Sequence, residues 1–202
     1  MPSFSYHTIA SGAEGSYKEK GSKFLAFAYP VASEAEVKEK IEALKAKYFD
    51  ARHHCYAWIL GVDKKYYRAN DDGEPNHSAG DPILGQLRAM NVTNVLIVVV
   101  RYFGGVKLGV GGLVTAYRSA AEESLKNATI VEREVCESIT ITYPYISTAD
   151  IMRLVKEFDL RIIAQKFEES CTLEAELALR NKATFNERVN LMKMLGVQIE
   201  MV

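Results

Sequence analysis

The chain has 202 residues, 48% of them hydrophobic and 25% charged, and a formal net charge of −1 at pH 7. This is the balance of an ordinary globular protein of one or two domains. It excludes a low-complexity chain or a strongly basic nucleic-acid protein and leaves room for a local basic patch. Sixteen basic and fourteen acidic residues precede Val131 and nine and twelve follow from it, so the front is slightly positive and the rear slightly negative.

The opening "MPSFSYHTIASGAEG" has neither the basic nor the apolar region of a secretory signal. The longest apolar run, residues 95–100, is too short to cross a bilayer. Cys55, Cys136 and Cys171 are widely spaced and form no CxxC pair, so no disulfide framework and no metal site are expected. A cytoplasmic protein without a membrane partner is the expectation.

"KFLAFAYPV" from Lys23 predicts a strand that stops at Pro30. "SEAEVKEKIEALKAKYF" predicts a helix with Ser33 as N-cap and Glu36 completing a capping box, and Val37, Ile41, Leu44 and Tyr48 forming one buried face. "HHCYAWILGV" and "KKYYRAN" flank a turn at Gly61 and predict a hairpin. "NDDGEPNHSAGDPIL" is a turn-rich loop leading to a short helix with Pro82 in its first turn and Ser78 or Asp81 as cap. "NVLIVVV" predicts a central strand, apolar on both faces, followed by five glycines between positions 104 and 112 and a helix over about 113–126.

Beyond Asn127 the pattern changes. "EVCESITITYPY", "STADIMRLVKEF", "LRIIAQKFEE", "CTLEAELAL", "ATFNERVNLMKML" and "GVQIEMV" follow the order β-α-β-β-α-β of a ferredoxin-like domain, with Ser147 or Thr148 capping its first helix. The fold class expected is α+β, with domains at 1–130 and 131–202.

Three stretches carry candidate chemistry. Around Gly104, Gly105, Gly109, Gly111 and Gly112, with Arg101, Lys107 and Arg118 nearby, main-chain N–H groups and a helix dipole could hold an anion. The spacing matches neither Walker A nor G-x-G-x-x-G, so a tight strand-to-helix connection and a catalytic loop remain alternatives. In "DDGEPNHSAGDP", Asp71, Asp72, Glu74 and His77 are hard ligands or acid/base groups, but the lack of a D-x-[DN]-x-[DN]-G pattern favours plain loop chemistry. Glu74 and His77 are the weak catalytic candidates.

In "RHHCYAW" strand alternation turns Cys55 away from His54, which argues for an inert thiol. Tyr56, Trp58, Tyr66 and Tyr67 beside Arg52, Lys64, Lys65 and Arg68 form either a base-stacking surface or, the favoured reading, an aromatic core face.

"HHCYAW", "DDGEPNHSAGDPILGQL" and "VVVRYFGGVKLGVGGLVTAY", in this order and spacing, resemble the IMPACT/YigZ family. The resemblance covers residues 15 to 128 and extends, by pattern alone, to the rear. It implies an N-terminal domain like ribosomal protein S5 domain 2 and a ferredoxin-like C-terminal domain. It also implies a binding role at RNA, the ribosome or a translation-associated protein, since eukaryotic members act in translational control; no cofactor and no established catalysis are implied. The matching motif residues are His54, Asp72, Gly73, Glu74, Pro75, Ala79, Gly80, Pro82, Arg101, Tyr102, the glycines above, Leu108, Leu113 and Tyr117. Where many relatives carry Gly-Thr, this chain has His77 and Ser78. A bulky His77 would conflict with any unusual backbone angle needed there.

Overall fold

The computed structural model describes residues 4–201. In chain order it runs β1 (Ser5–Ile9), β2 (Ala13–Glu19), β3 (Ser22–Pro30), α1 (Glu34–Lys47), β4 (His53–Leu60), β5 (Tyr66–Asn70), α2 (Gly80–Ala89), β6 (Val95–Tyr102) and α3 (Gly109–Lys126). Then come β7 (Ile130–Glu134), β8 (Cys136–Tyr143), α4 (Thr148–Glu157), β9 (Arg161–Phe167), β10 (Cys171–Ala178), α5 (Lys182–Met194) and β11 (Glu200–Met201). The class is α+β. The chain divides into two compact units, Tyr6–Arg133 and a second made of the residues from Glu134 onward together with Phe4 and Ser5.

The first unit is built on a five-stranded antiparallel sheet in the order β2-β3-β6-β4-β5. β6 is its middle strand and is buried on both faces, as an unbroken β-branched run requires. Val95, Ile97 and Val99 join Cys55, Ala57, Ala26 and Ala28 in a core against α2 and α3. Leu96, Val98 and Val100 face the other way and pack with Trp58, Phe27, Val37 and Leu44 beneath α1. The small side chains are all on the first face, where two helices have to approach the sheet.

Trp58 is 3% exposed and belongs to the core, whereas Tyr66, which meets it edge-on at 5.0 Å, and Tyr67 are about half exposed, so the core-face reading holds for Trp58 and not for the two tyrosines of β5. Ser33 caps α1 by accepting from Glu36 N, while the Glu36 carboxylate reaches back to Ala32 N. That is a capping box displaced by one residue.

The second unit has the order β8-α4-β9-β10-α5-β11 and an antiparallel sheet ordered β11-β8-β10-β9. Ile139, Ile141, Leu173, Ala175 and Leu177 alternate onto one face, where Ile151, Leu154, Phe185 and Val189 of the two helices cover them. Neither Ser147 nor Thr148 caps α4 through its side chain; the Thr148 hydroxyl donates to Tyr145 O instead.

Two departures from expectation bear on the site. β1 and β2 lack an apolar run, and the sequence reading passes over them. β2 is an edge strand that α3 crosses at Gly15, where an added Cβ would lie 2.8 Å from Ser124 Cα. And α3 starts at Gly109, about four residues early, because Gly109–Gly112 form its first turn.

The glycines differ in what they permit. A Cβ on Gly104 would collide with the Gly21–Ser22 backbone at the β2–β3 turn, whereas one on Gly85, within α2, would meet nothing within 4 Å. Gly85→Ala is therefore expected to stabilise the protein by about 0.5–1 kcal/mol. Gly104→Ala should destabilise it by at least about 1–3 kcal/mol through backbone displacement. Urea unfolding of the two variants checks both signs.

Candidate functional site

Antiparallel pairing brings three segments to one end of the five-stranded sheet. His53, which begins β4, lies opposite Arg101 near the end of β6, and Phe24 of β3 lies on Arg101's other side. β5 runs back beside β4 and finishes at the same end, so the loop that follows it, residues 71–79, is delivered there too. The turn from β6 into α3 is the third segment.

The loop is held in shape by its own acids. Asp71 accepts from His77 N at 2.8 Å and, through its other oxygen, from Ala79 N at 2.9 Å and Gly80 N at 2.8 Å. It thereby caps α2 from eight and nine residues upstream. This corrects the expectation of Ser78 or Asp81 as cap: the Ser78 hydroxyl donates to Pro75 O, and Asp81 pairs with the His77 ring at 2.6 Å. Asp72 accepts from His54 N at 2.7 Å. Asp71 and Asp72 are thus turned toward main-chain donors, and among the described residues no group of three His, Cys, Asp or Glu side chains is arranged to hold a metal ion.

His77 has φ +63°, in the left-handed region, at the place where the family resemblance leads one to expect glycine. A non-glycine residue does adopt the angle there, and its ring stays at the surface.

At the centre is a buried ion pair. Arg101 Nη1 donates to Glu74 Oε1 at 2.5 Å, with the two side chains 8% and 4% exposed. The Tyr117 hydroxyl from α3 donates to the same oxygen at 2.8 Å, and the Cys55 thiol lies 3.3 Å from that hydroxyl while donating to Asp71 O at 3.0 Å. Phe24 and Phe103 lie within 5.5 and 5.8 Å of the guanidinium carbon. The pair ties the 71–79 loop to the middle strand, and Tyr117 ties both to α3.

Between these segments is a recess of about 840 Å³. Its walls are Asp50, Ala51, Arg52 and His53 on one side, Glu74 and Pro75 on another, and Lys107–Val110 with Leu113 on a third; Arg101, Tyr102 and Phe103 complete it. Glu74 is satisfied by Arg101 and Tyr117, and Asp50 accepts from the Tyr102 hydroxyl at 2.7 Å. Arg52 and Lys107 are exposed and have no ion-pair partner among the described residues.

The structure splits the expected anion set. Lys107 and Gly109 line the recess, and Arg101 lies in it with its charge already paired. Gly104 packs against the β2–β3 turn, and Gly105 takes φ +88° in open space. Gly111 and Gly112 face a separate dip with Tyr17 and Lys20, and Arg118 lines another with His77 and Asp81. Gly73 lies against the His53 ring, and Gly80 lets α2 begin against the Asn70 backbone. Ser78 is fully buried in the loop, while Pro75 reaches the recess.

His54 lies on the α1 side, opposite the recess; His53 is the histidine that lines it. Strand alternation from Cys55 carried that signal. The sequence takes Arg52 only as a charge beside the aromatic hairpin and Tyr102 only as a motif residue, and it offers no signal for Asp50 or Phe103.

Burial pushes both the Cys55 thiol and the Tyr117 hydroxyl well above their ordinary values, so both keep their protons near neutrality. Glu74 and His77, the two acid/base candidates, open onto different recesses. In the first recess Glu74 is engaged and Cys55 keeps its proton, while the His77–Asp81 pair lies outside it.

The Impact N-terminal domain model matches residues 20–125. IMPACT family member YvyE of Bacillus subtilis is 31% identical over 183 residues, 91% of this chain and 84% of that protein. IMPACT family member YigZ of Escherichia coli is 33% identical over 172 residues, 84% of each. A crystal structure of a hypothetical protein superposes with a TM-score of 0.78 at 29% identity, covering 100% of this chain and 98% of that one. The chain belongs to the IMPACT family.

Two stability experiments probe the site. Arg101→Met is expected to cost about 3–5 kcal/mol in urea unfolding because Glu74 is left buried and unpaired. The double variant Glu74→Leu/Arg101→Met should recover most of that loss. Burial also lowers the pKa of His54, partly offset by Asp72. An unfolded His54 takes up a proton near pH 6.5 while the folded one resists it. The unfolded state therefore holds more protons below that pH, and stability should fall as pH drops from 6.5 toward the lower folded value. Melting temperatures measured between pH 7.5 and 5 should show this slope, and His54→Phe should flatten it.

Proposed function

We propose that this IMPACT-family protein is a non-catalytic regulator that docks on RNA of the translation machinery through the recess between the 71–79 loop and the turn into α3. The observation that carries this reading is the charge state of the recess. Its two acids are engaged by Arg101, Tyr117 and Tyr102, while Arg52 and Lys107 remain free to meet phosphate. The family resemblance supplies the link to translation, since its eukaryotic members act in translational control. The protonated Cys55 and the engaged Glu74 speak against catalysis.

The same reading takes residues 1–130 as a ribosomal protein S5 domain 2-like unit and residues 131–202 as a ferredoxin-like one, acting in the cytoplasm. The order of β8 to β11 around α4 and α5 supports the second assignment. Docking of a polypeptide is the second reading, favoured by the exposed apolar side chains Phe103, Val106 and Val110 beside the recess.

Binding of purified ribosomes or structured RNA, titrated at several salt concentrations, tests the proposal. Affinity should fall linearly with the logarithm of salt, and the slope should shrink by about 2 in Arg52→Ala/Lys107→Ala. No affinity at low salt, or a slope untouched by the double variant, would overturn it.

A further inference from the structure

We infer that the recess accepts a single unpaired nucleotide of an RNA strand, its base stacked on Phe103 and its phosphate held at the start of α3 by Lys107. This rests on the RNA reading above and specifies what the site takes. A cavity of about 840 Å³ is the size of a small-molecule site. Bases held inside a duplex cannot enter such a space, whereas an unstacked base can be splayed into it and placed on an aromatic ring.

Phe103 offers that ring. It lines the recess and is 58% exposed, so the ring is open to solvent there. It is also braced, because the Arg101 guanidinium, itself fixed by Glu74, lies 5.8 Å from the ring centroid. A platform held in place costs less to stack upon than one that must be ordered.

The phosphate end is equally specific. α3 opens with no side-chain cap and no acidic residue in its first turn. Its first N–H groups therefore lack intrahelical partners and carry the positive end of the dipole. Gly109, at φ +71°, leaves the backbone bare, with nothing within 4 Å of where a Cβ would be. Lys107 stands unpaired beside it. Arg101 lines the same recess with its charge already engaged by Glu74, so Lys107 is the cation left for the phosphate.

Fluorescence anisotropy with labelled single-stranded hexauridylate and hexaadenylate, and with a blunt RNA duplex as competitor, tests the slot on the full chain. Ribosome co-sedimentation is measured in parallel. The single strands should bind, and Phe103→Ala should weaken them about five- to a hundredfold. Phe103→Trp should retain binding, with its indole fluorescence quenched by the oligonucleotide. Arg118→Ala, outside the recess, should change nothing, and the duplex should compete poorly. An unchanged melting temperature in Phe103→Ala excludes misfolding, as expected for an exposed side chain.

Equal binding of hexauridylate by Phe103→Ala and wild type, or equal competition by the duplex, would overturn the slot. Ribosome binding that persists in that case would leave the broader RNA reading standing. Loss of ribosome binding in Phe103→Ala without any oligonucleotide affinity in the wild type would overturn the slot in favour of a polypeptide dock. Absence of both activities would remove both proposals.

Discussion

The first unit is organised around one buried charge pair. Glu74 and Arg101 are 27 residues apart in sequence and meet where water is almost excluded. Such a pair is expensive to bury and is tolerated only with good geometry and further hydrogen bonds. Tyr117 supplies one of these, and Phe24 and Phe103 flank the guanidinium. What the pair secures is position: a loop, a central strand and a helix are fixed with respect to one another.

The sheet makes that meeting possible. Antiparallel order puts the start of β4 and the ends of β5 and β6 at one edge, and Cys55, Ala57, Ala26 and Ala28 let α2 and α3 lie close to the strands. The Asp71 carboxylate then folds the loop back on itself through three main-chain donors, which aims Glu74 inward. Charge is consumed inside the site, and the free cations stand at its margin. That division of labour underlies the proposed docking role.

Periodicity and punctuation sufficed for much of this. The apolar run of β6, the capped helix at Ser33 and the β-α-β-β-α-β order of the rear were legible because each is a local pattern. The contents of the site were harder to read, since they depend on contacts distant in sequence. Arg101 beside a glycine run reads as a free cation until Glu74 is brought to it. Asp71 reads as a turn residue, not as a cap acting nine positions ahead. Gly104 looks like a ligand contact but makes room for the β2–β3 turn. The adjacent histidines are parted by the pleat, so the motif residue His54 faces α1 and its neighbour His53 faces the recess. β2 escaped notice because an edge strand lying under α3 at a glycine needs no apolar run.

If the buried pair joins the loop to the turn, loosening one side must loosen the other. Hydrogen–deuterium exchange of Glu74→Gln against wild type measures this directly. Faster exchange is predicted in residues 71–79 and also in residues 103–113, which contain no substitution. Acceleration confined to residues 71–79 would contradict the account and leave the recess as two independently held loops.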